Sequence, residues 1–316
     1  MAKIRNLAIA SALSIMVTDV AHAETYGLFI GCSDYPTPLD SKGQPIKDEK
    51  GMTIDMDLAG PVNDVAAMKL IAQTKFGLSE SKTTTLTDKT ATWPELEKSL
   101  VNIIKSVKAG DQVIFYYSGH GGQIPTKDKN ETDGLDEVLA LIDGSLVVDD
   151  MFDQVKTFFV ANGVKAVFVF DSCYSGGMQR DVVKMQNYTV NKSKFTPGLA
   201  KFKNFKAVGK SSSIGNNATM LKKMQTPTAG SFAFVFAGQE GQPTIDLKSK
   251  DESKFKSQGL FTLYLSTVLN EQPNIPIGPL MGALADIFKE QKIEQVPNAE
   301  FSDAARAELP IFLQAK

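Results

Sequence analysis

Four strand-length runs of this chain carry no charged side chain and are almost wholly apolar: residues 26–30, 113–117, 166–170 and 232–237. A strand with one face in water alternates polar and apolar residues. These do not, so both faces are expected to be covered. Between them lie stretches of helical periodicity. Pro61 opens one, with Val65, Met68, Ile71 and Ala72 on a single face and Gly77 as its stop. Thr92-Trp93-Pro94-Glu95 has the form of a capping box, followed by Leu96, Leu100, Ile103, Ile104 and Val107. Further helices are predicted at about 150–162, capped by Asp149, and at about 259–270 and 279–291, with short strands at 83–86 and 309–313. Strand and helix in alternation predict an α/β fold, a mainly parallel sheet of about six strands with helices on both faces.

In such sheets the working residues gather beyond the carboxyl ends of the strands. Two ends stand out. The run 113–117 leads into Ser118-Gly119-His120-Gly121-Gly122, and the run 166–170 into Asp171-Ser172-Cys173-Tyr174-Ser175-Gly176. The chain has only two histidines and two cysteines. Lys3 and Arg5, the apolar stretch 7–17 and Ala21-His22-Ala23 have the layout of an export signal. Removal of residues 1–23 would leave one domain, 24–316, with His120 as its sole imidazole. A periplasmic or extracellular product is expected.

One histidine and two cysteines cannot supply the three or four ligands of a zinc site. They can supply a nucleophile and its base. A thiol at neutral pH is mostly protonated and needs a neighbouring base, which can then protonate the leaving amine. Backbone N–H groups of Gly121 and Cys173 are the candidate oxyanion donors. A Cys32–Cys173 disulfide is not expected, because the His120 strand should lie between theirs. Two strand spacings of about 4.8 Å exceed the roughly 7 Å that a disulfide can span.

Other classes find little support. A formal net charge of −2 gives no electrostatic case for nucleic acid, and no apolar segment approaches the roughly 20 residues of a membrane span. Gly209-Lys210-Ser211 has Asn204 where a phosphate-binding loop needs glycine. No organic cofactor is indicated. A monomer acting on a protein or peptide is the expectation.

The two glycine-rich blocks resemble the catalytic blocks of metacaspases, within the caspase-like peptidases. So do Gly31-Cys32-Ser33-Asp34-Tyr35, Leu58-Ala59-Gly60-Pro61-Val62-Asn63-Asp64 and Gly259-Leu260-Phe261-Thr262. The resemblance implies a caspase-like fold and a cysteine endopeptidase with Cys173 and His120 as its dyad. It also implies cleavage after Arg or Lys, with Asp64, Ser118 and Asp171 lining the pocket for the basic side chain. Pro61 stands where the family often has cysteine. Asp136, Asp149 and Asp150 match carboxylates that bind calcium in the family. The fourth falls at Arg180 by direct spacing, with Asp181 one residue away. Residues 178–229 are expected to form a long mobile loop open to self-cleavage. Arg180, Lys184, Lys192, Lys194, Lys201, Lys203, Lys206, Lys210, Lys222 and Lys223 are its basic residues, and nothing in the sequence selects among them. A catalytically silent scaffold and a clostripain-like or legumain-like peptidase remain as alternatives, to be separated by peptide profiling.

Overall fold

The computed structural model describes residues 23–127, 133–173, 185–196, 198–210, 230–239 and 242–313. Residues 1–22 of the predicted export signal, Asp181, Arg180 and much of the 178–229 segment lie outside this set.

The central sheet has six strands: β1 (Thr25–Gly31), β2 (Thr83–Thr87), β3 (Gln112–Ser118), β7 (Lys165–Asp171), β10 (Ser231–Phe236) and β13 (Asn298–Phe301). Their spatial order is β13-β10-β7-β3-β1-β2, with every pairing parallel except β10 with β13. Every residue of β1 and β3 is buried, as is all of β7 beyond Lys165. Alternate residues of one strand therefore enter two different cores. Val113, Phe115 and Tyr117 meet α2 (Trp93–Ser106) and α3 (Asp150–Ala161), where Phe115 lies edge-on to Phe152 at 5.0 Å. Ile114 and Tyr116 meet α1 (Pro61–Phe76), α4 (Leu260–Glu271) and α5 (Ile277–Glu290) on the other face. A short α6 (Ala304–Ala307) follows.

Three local readings are corrected. Residues 309–313 form no strand. Pro310 makes only an isolated bridge to Pro276, and the sixth strand is β13, whose sequence Asn-Ala-Glu-Phe carries no apolar run. The Thr92 side chain makes no capping hydrogen bond to α2; at the same helix end the Trp93 N–H donates to Asp143 Oδ2 at 3.0 Å. Asp149 stands at the N-cap of α3 but makes no side-chain cap bond.

The described residues of the 178–229 segment, 185–196 and 198–210, include two strands. They contribute β8 (Tyr188–Ser193), which pairs antiparallel with β11 (Ile245–Ser249); β11 also pairs with β12 (Gln258–Gly259). Farther on, β9 (Lys206–Val208) joins β4 (Gly121–Pro125), β5 (Leu135–Ala140) and β6 (Ser145–Val148) in the order β4-β5-β6-β9. Leu199, Phe202 and Phe205 between them are buried in the main core. Residues 185–196 thus reach the carboxyl end of the central sheet, where Lys194 and Thr196 bond to Gly121.

Candidate active site

β3 and β7 are adjacent, with Ser118 level with Asp171. Two residues farther along each strand come His120 and Cys173, so the parallel register alone brings the pair to one end of the sheet. The chain must then turn sharply into β4. A Cβ on Gly121 would collide with the Cys173 carbonyl, which accounts for glycine there.

His120 is held from every side. Its N–H donates to Tyr35 Oη at 2.7 Å, and its carbonyl accepts from Tyr117 Oη at 2.8 Å. Its ring packs against the Tyr35 ring at 4.7 Å. Nε2 lies 2.7 Å from the Met56 carbonyl. A carbonyl only accepts, so Nε2 carries the proton and Nδ1 is the basic nitrogen. Nδ1 is buried and meets no hydrogen-bonding partner of normal geometry. Burial lowers the imidazole to about 4, against the opposing influence of the Met56 and Lys194 backbone groups. The ring is therefore neutral at pH 7.

Cys173 is buried, and its Sγ receives the Thr244 N–H at 2.7 Å and lies 3.1 Å from Thr244 Oγ1. Burial raises the thiol, with the Thr244 contacts acting the other way. No direct hydrogen bond joins Cys173 to His120 among the described residues. Instead the chain's own Ser193-Lys194 touches both: Ser193 Oγ is 3.7 Å from Cys173 Sγ, and the Lys194 backbone reaches the imidazole. Both cysteines are free thiols, and β3 separates β1 from β7 as expected.

Asp64, Ser118 and Asp171 are brought together in one fully buried pocket, and the Lys194 side chain fills it. Its Nζ lies 3.2 Å from Asp64 Oδ2, 2.9 Å from Ser118 Oγ and 2.9 Å from Asp171 Oδ1, all at 0% exposure. The carboxylates are themselves fixed. The Gly259 N–H donates to both oxygens of Asp64, and the Thr262 N–H and Oγ1 both donate to Asp171 Oδ2. A Cβ on Gly259 would strike the Asp171 carboxylate and the ammonium. Burial alone would push the Lys194 ammonium down, but Asp171, Asp64 and Asp246 override it and raise it. Burial pushes Asp64 up to about 7, against the pull of Lys194. Two buried carboxylates facing one ammonium make a pocket built for a cation.

The backbone of this segment is held as an extended strand. The Gly121 N–H donates to the Lys194 carbonyl at 2.9 Å. The Lys194 N–H donates to Thr244 O at 3.0 Å, and the Thr196 N–H to Gly121 O at 3.3 Å. The predicted oxyanion donor therefore already holds the carbonyl that precedes Phe195.

The acidic set behaves differently. Asp136, buried on β5, pairs with the Lys210 ammonium, which also donates to Thr126 Oγ1 at 2.8 Å. Among the described residues no group of three or more His, Cys, Asp or Glu side chains is arranged to hold a metal. Asp181, the fourth residue of the expected calcium set, lies outside the described residues, and in this structure the cation facing Asp136 is the Lys210 ammonium.

Residues 49–182 match the family model of the metacaspase peptidase C14 domain. Over that region the chain is similar to the metacaspases. Metacaspase-4 of Arabidopsis thaliana is 27% identical over 261 residues, covering 76% of this chain and 60% of that protein. Metacaspase-1A of Aspergillus oryzae is 35% identical over 129 residues, covering 38% of this chain and 30% of that protein. The chain therefore spans less than two thirds of the length of these curated relatives. A protein of Geobacter sulfurreducens known from its crystal structure shares the fold, with a TM-score of 0.59 and 22% identity over 93% of this chain and all of its own. The matched region of the chain holds His120, Cys173, Asp64, Ser118 and Asp171 and stops short of Lys194.

Sequence reading missed Tyr35, Met56, Thr244, Gly259 and Thr262 as parts of the site. It also left Lys194 as one of ten candidates. The one local signal was Tyr188-Thr189-Val190, a short β-prone stretch ending just before it. The Gln242 amide, after β10, is spent on the 294–296 turn, donating to Glu294 O and accepting from the Val296 N–H.

Proposed function

We propose that this protein is a cysteine endopeptidase that cleaves after lysine or arginine, and that its first substrate is its own Lys194–Phe195 bond. One observation carries the reading. A lysine is buried among Asp64, Ser118 and Asp171 while its carbonyl rests on the Gly121 N–H. An arginine fits the same acids through paired hydrogen bonds, whereas an Asp or Asn side chain would leave them uncompensated.

The chemistry follows from the proton inventory. With the imidazole neutral and the thiol protonated, Cys173 passes its proton to His120 Nδ1 as the sulfur attacks the Lys194 carbonyl carbon. The oxyanion is held by the N–H groups of Gly121 and Cys173. Collapse breaks the Lys194 C–N bond, and His120 delivers its proton to the Phe195 nitrogen. Water, deprotonated by His120, then releases Lys194 as a carboxylate and restores the thiol. The Met56 carbonyl keeps the proton on Nε2 and stabilises the imidazolium as it forms. The mature chain starts at about Glu24, after the signal at 1–23, and acts outside the cytoplasm.

The test compares fluorogenic peptides with Lys, Arg, Asn or Asp before the reporter, for the chain and for Cys173→Ala. Cleavage after Lys and Arg, lost in Cys173→Ala, is expected. Cleavage after Asp or Asn alone would overturn the pocket. Loss of all cleavage in a folded protein would favour a scaffold.

A further inference from the structure

The self-docked strand makes a second charged contact, and it comes from the largely exposed, polar segment 36–57 between β1 and α1. Two residues before Lys194, the Lys192 ammonium donates to Asp55 Oδ2 at 2.7 Å and to the Asp55 carbonyl at 2.9 Å. We infer that Asp55 is a specificity residue that recognises a second basic side chain two positions before the one in the buried pocket. The preferred substrate is then a segment of the form Lys/Arg-x-Lys/Arg, cut after the second basic residue. The inference rests on the reading given under Proposed function.

Asp55 is placed independently of its lysine. Its Oδ1 accepts the Asp57 N–H at 2.9 Å, and Asp57 Oδ1 in turn accepts the Tyr35 N–H at 2.8 Å. Tyr35 packs on the catalytic imidazole, and Met56, the next residue, holds its Nε2. The turn that seats His120 therefore also aims Asp55 along the substrate strand. The strand itself is registered, because β8 pairs with β11 so that Lys192 stands level with Asp246. An extended chain presents alternate side chains to one side, so a residue pair two apart can engage both acidic sites together. Charge supports the assignment. The Lys192 hydrogen bond holds the Asp55 carboxyl below its ordinary value even though partial burial would raise it.

The two sites differ in kind. The inner pocket is dry and selects through the cost of an unpaired buried charge. The outer contact is wet, with side-chain exposures of 67% for Asp55 and 27% for Lys192. Exposed pairs of this type change equilibria by about two- to five-fold, and salt weakens them. The outer site thus ranks substrates that the inner pocket has already accepted, and it acts on KM more than on kcat.

The experiment measures kcat/KM for matched peptides, each with Lys before the scissile bond and either Lys, Gln or Glu two residues earlier. The comparison is made for the natural chain and for Asp55→Lys, at low and high salt. The expected result is a two- to five-fold preference for Lys over Gln that shrinks in high salt, and an order reversed in favour of Glu in Asp55→Lys. Each ratio is taken within one protein, so a general loss of activity in the variant does not blur it. Should Asp55→Lys be inactive, the salt-dependent preference of the natural chain decides. Equal rates for Lys, Gln and Glu at low salt would overturn the inference while leaving the endopeptidase reading intact. Failure of a folded protein to cleave any of these peptides would remove that reading and the inference with it.

Discussion

Replacing Lys194 by glutamine, in a Cys173→Ala background that keeps the chain whole, exposes the energetics of the pocket. The substitution removes the cation from between Asp64 and Asp171, both at 0% exposure. Breaking a buried ion pair on one side costs roughly 3–5 kcal/mol. For a domain of this size, that is a fall in Tm of roughly 6–20 °C. The cost has a ceiling. Residues 185–210 can undock as a unit, surrendering the burial of Leu199, Phe202 and Phe205 instead of unfolding the sheet. Two readouts are therefore needed: thermal unfolding, and the rate at which thermolysin nicks this segment. Lys194→Gln should lower the Tm or speed the nicking at least tenfold. Lys194→Arg, which keeps the charge, should stay close to the parent in both. The deficit should shrink as pH is lowered, because the abandoned Asp64, already raised by burial, takes up a proton. If Lys194→Gln matched the parent in both measurements at pH 7, the pocket would not be a charged one and the reasoning would fail.

Other consequences can be checked more quickly. Gly259→Ala places a methyl group against the Asp171 carboxylate and the Lys194 ammonium, so cleavage after Lys should drop at least a hundredfold, and the Tm should fall as the docked lysine is displaced. His120 is held neutral with a value of about 4 against an ordinary 6.5. Its contribution to stability, about 3 kcal/mol, is complete above pH 6.5 and is lost as pH falls through 4. His120→Ala in chemical denaturation should accordingly show a shallower loss of stability between those limits. Calcium reaching Asp136 must displace Lys210. In the Cys173→Ala background, calcium should therefore raise the Tm of Lys210→Gln more than that of the parent. Equal shifts would show that calcium does not act at Asp136.

What the sequence disclosed followed from how locally each feature was determined. The runs that became β1, β3 and β7, and the centre of β10, were plain because they are buried on both faces, and that requires apolar residues throughout. Once those strands are parallel neighbours, His120 and Cys173 must meet at one end of the sheet. The edge strand β13 was invisible because it is only four residues long and half-exposed, so it carries no apolar run. Residues 309–313 looked like a strand because Leu309, Ile311, Phe312 and Leu313 are apolar; Ile311 and Phe312 are buried without entering a sheet. Asp64, Ser118 and Asp171 could be named from the family resemblance. Their occupant could not, because nothing adjacent to Lys194 distinguishes it from the neighbouring lysines. Its selection depends on β8 pairing with β11, more than fifty residues away in the chain, and on a carbonyl meeting Gly121. The capping-box pattern at Thr92 did not form its side-chain bond, and the free Trp93 N–H at that end is met instead by Asp143, fifty residues away in the chain.

The most direct measurement is the identity of the new amino terminus when the purified chain is incubated alone and beside Cys173→Ala. Intact-mass and N-terminal analysis should show a fragment beginning Phe195-Thr196, formed at a rate independent of protein concentration and absent from Cys173→Ala. A chain that stays whole under conditions where it cleaves lysyl peptides, or that is cut first at another residue, would contradict the docking of Lys194 as the enzyme's own substrate.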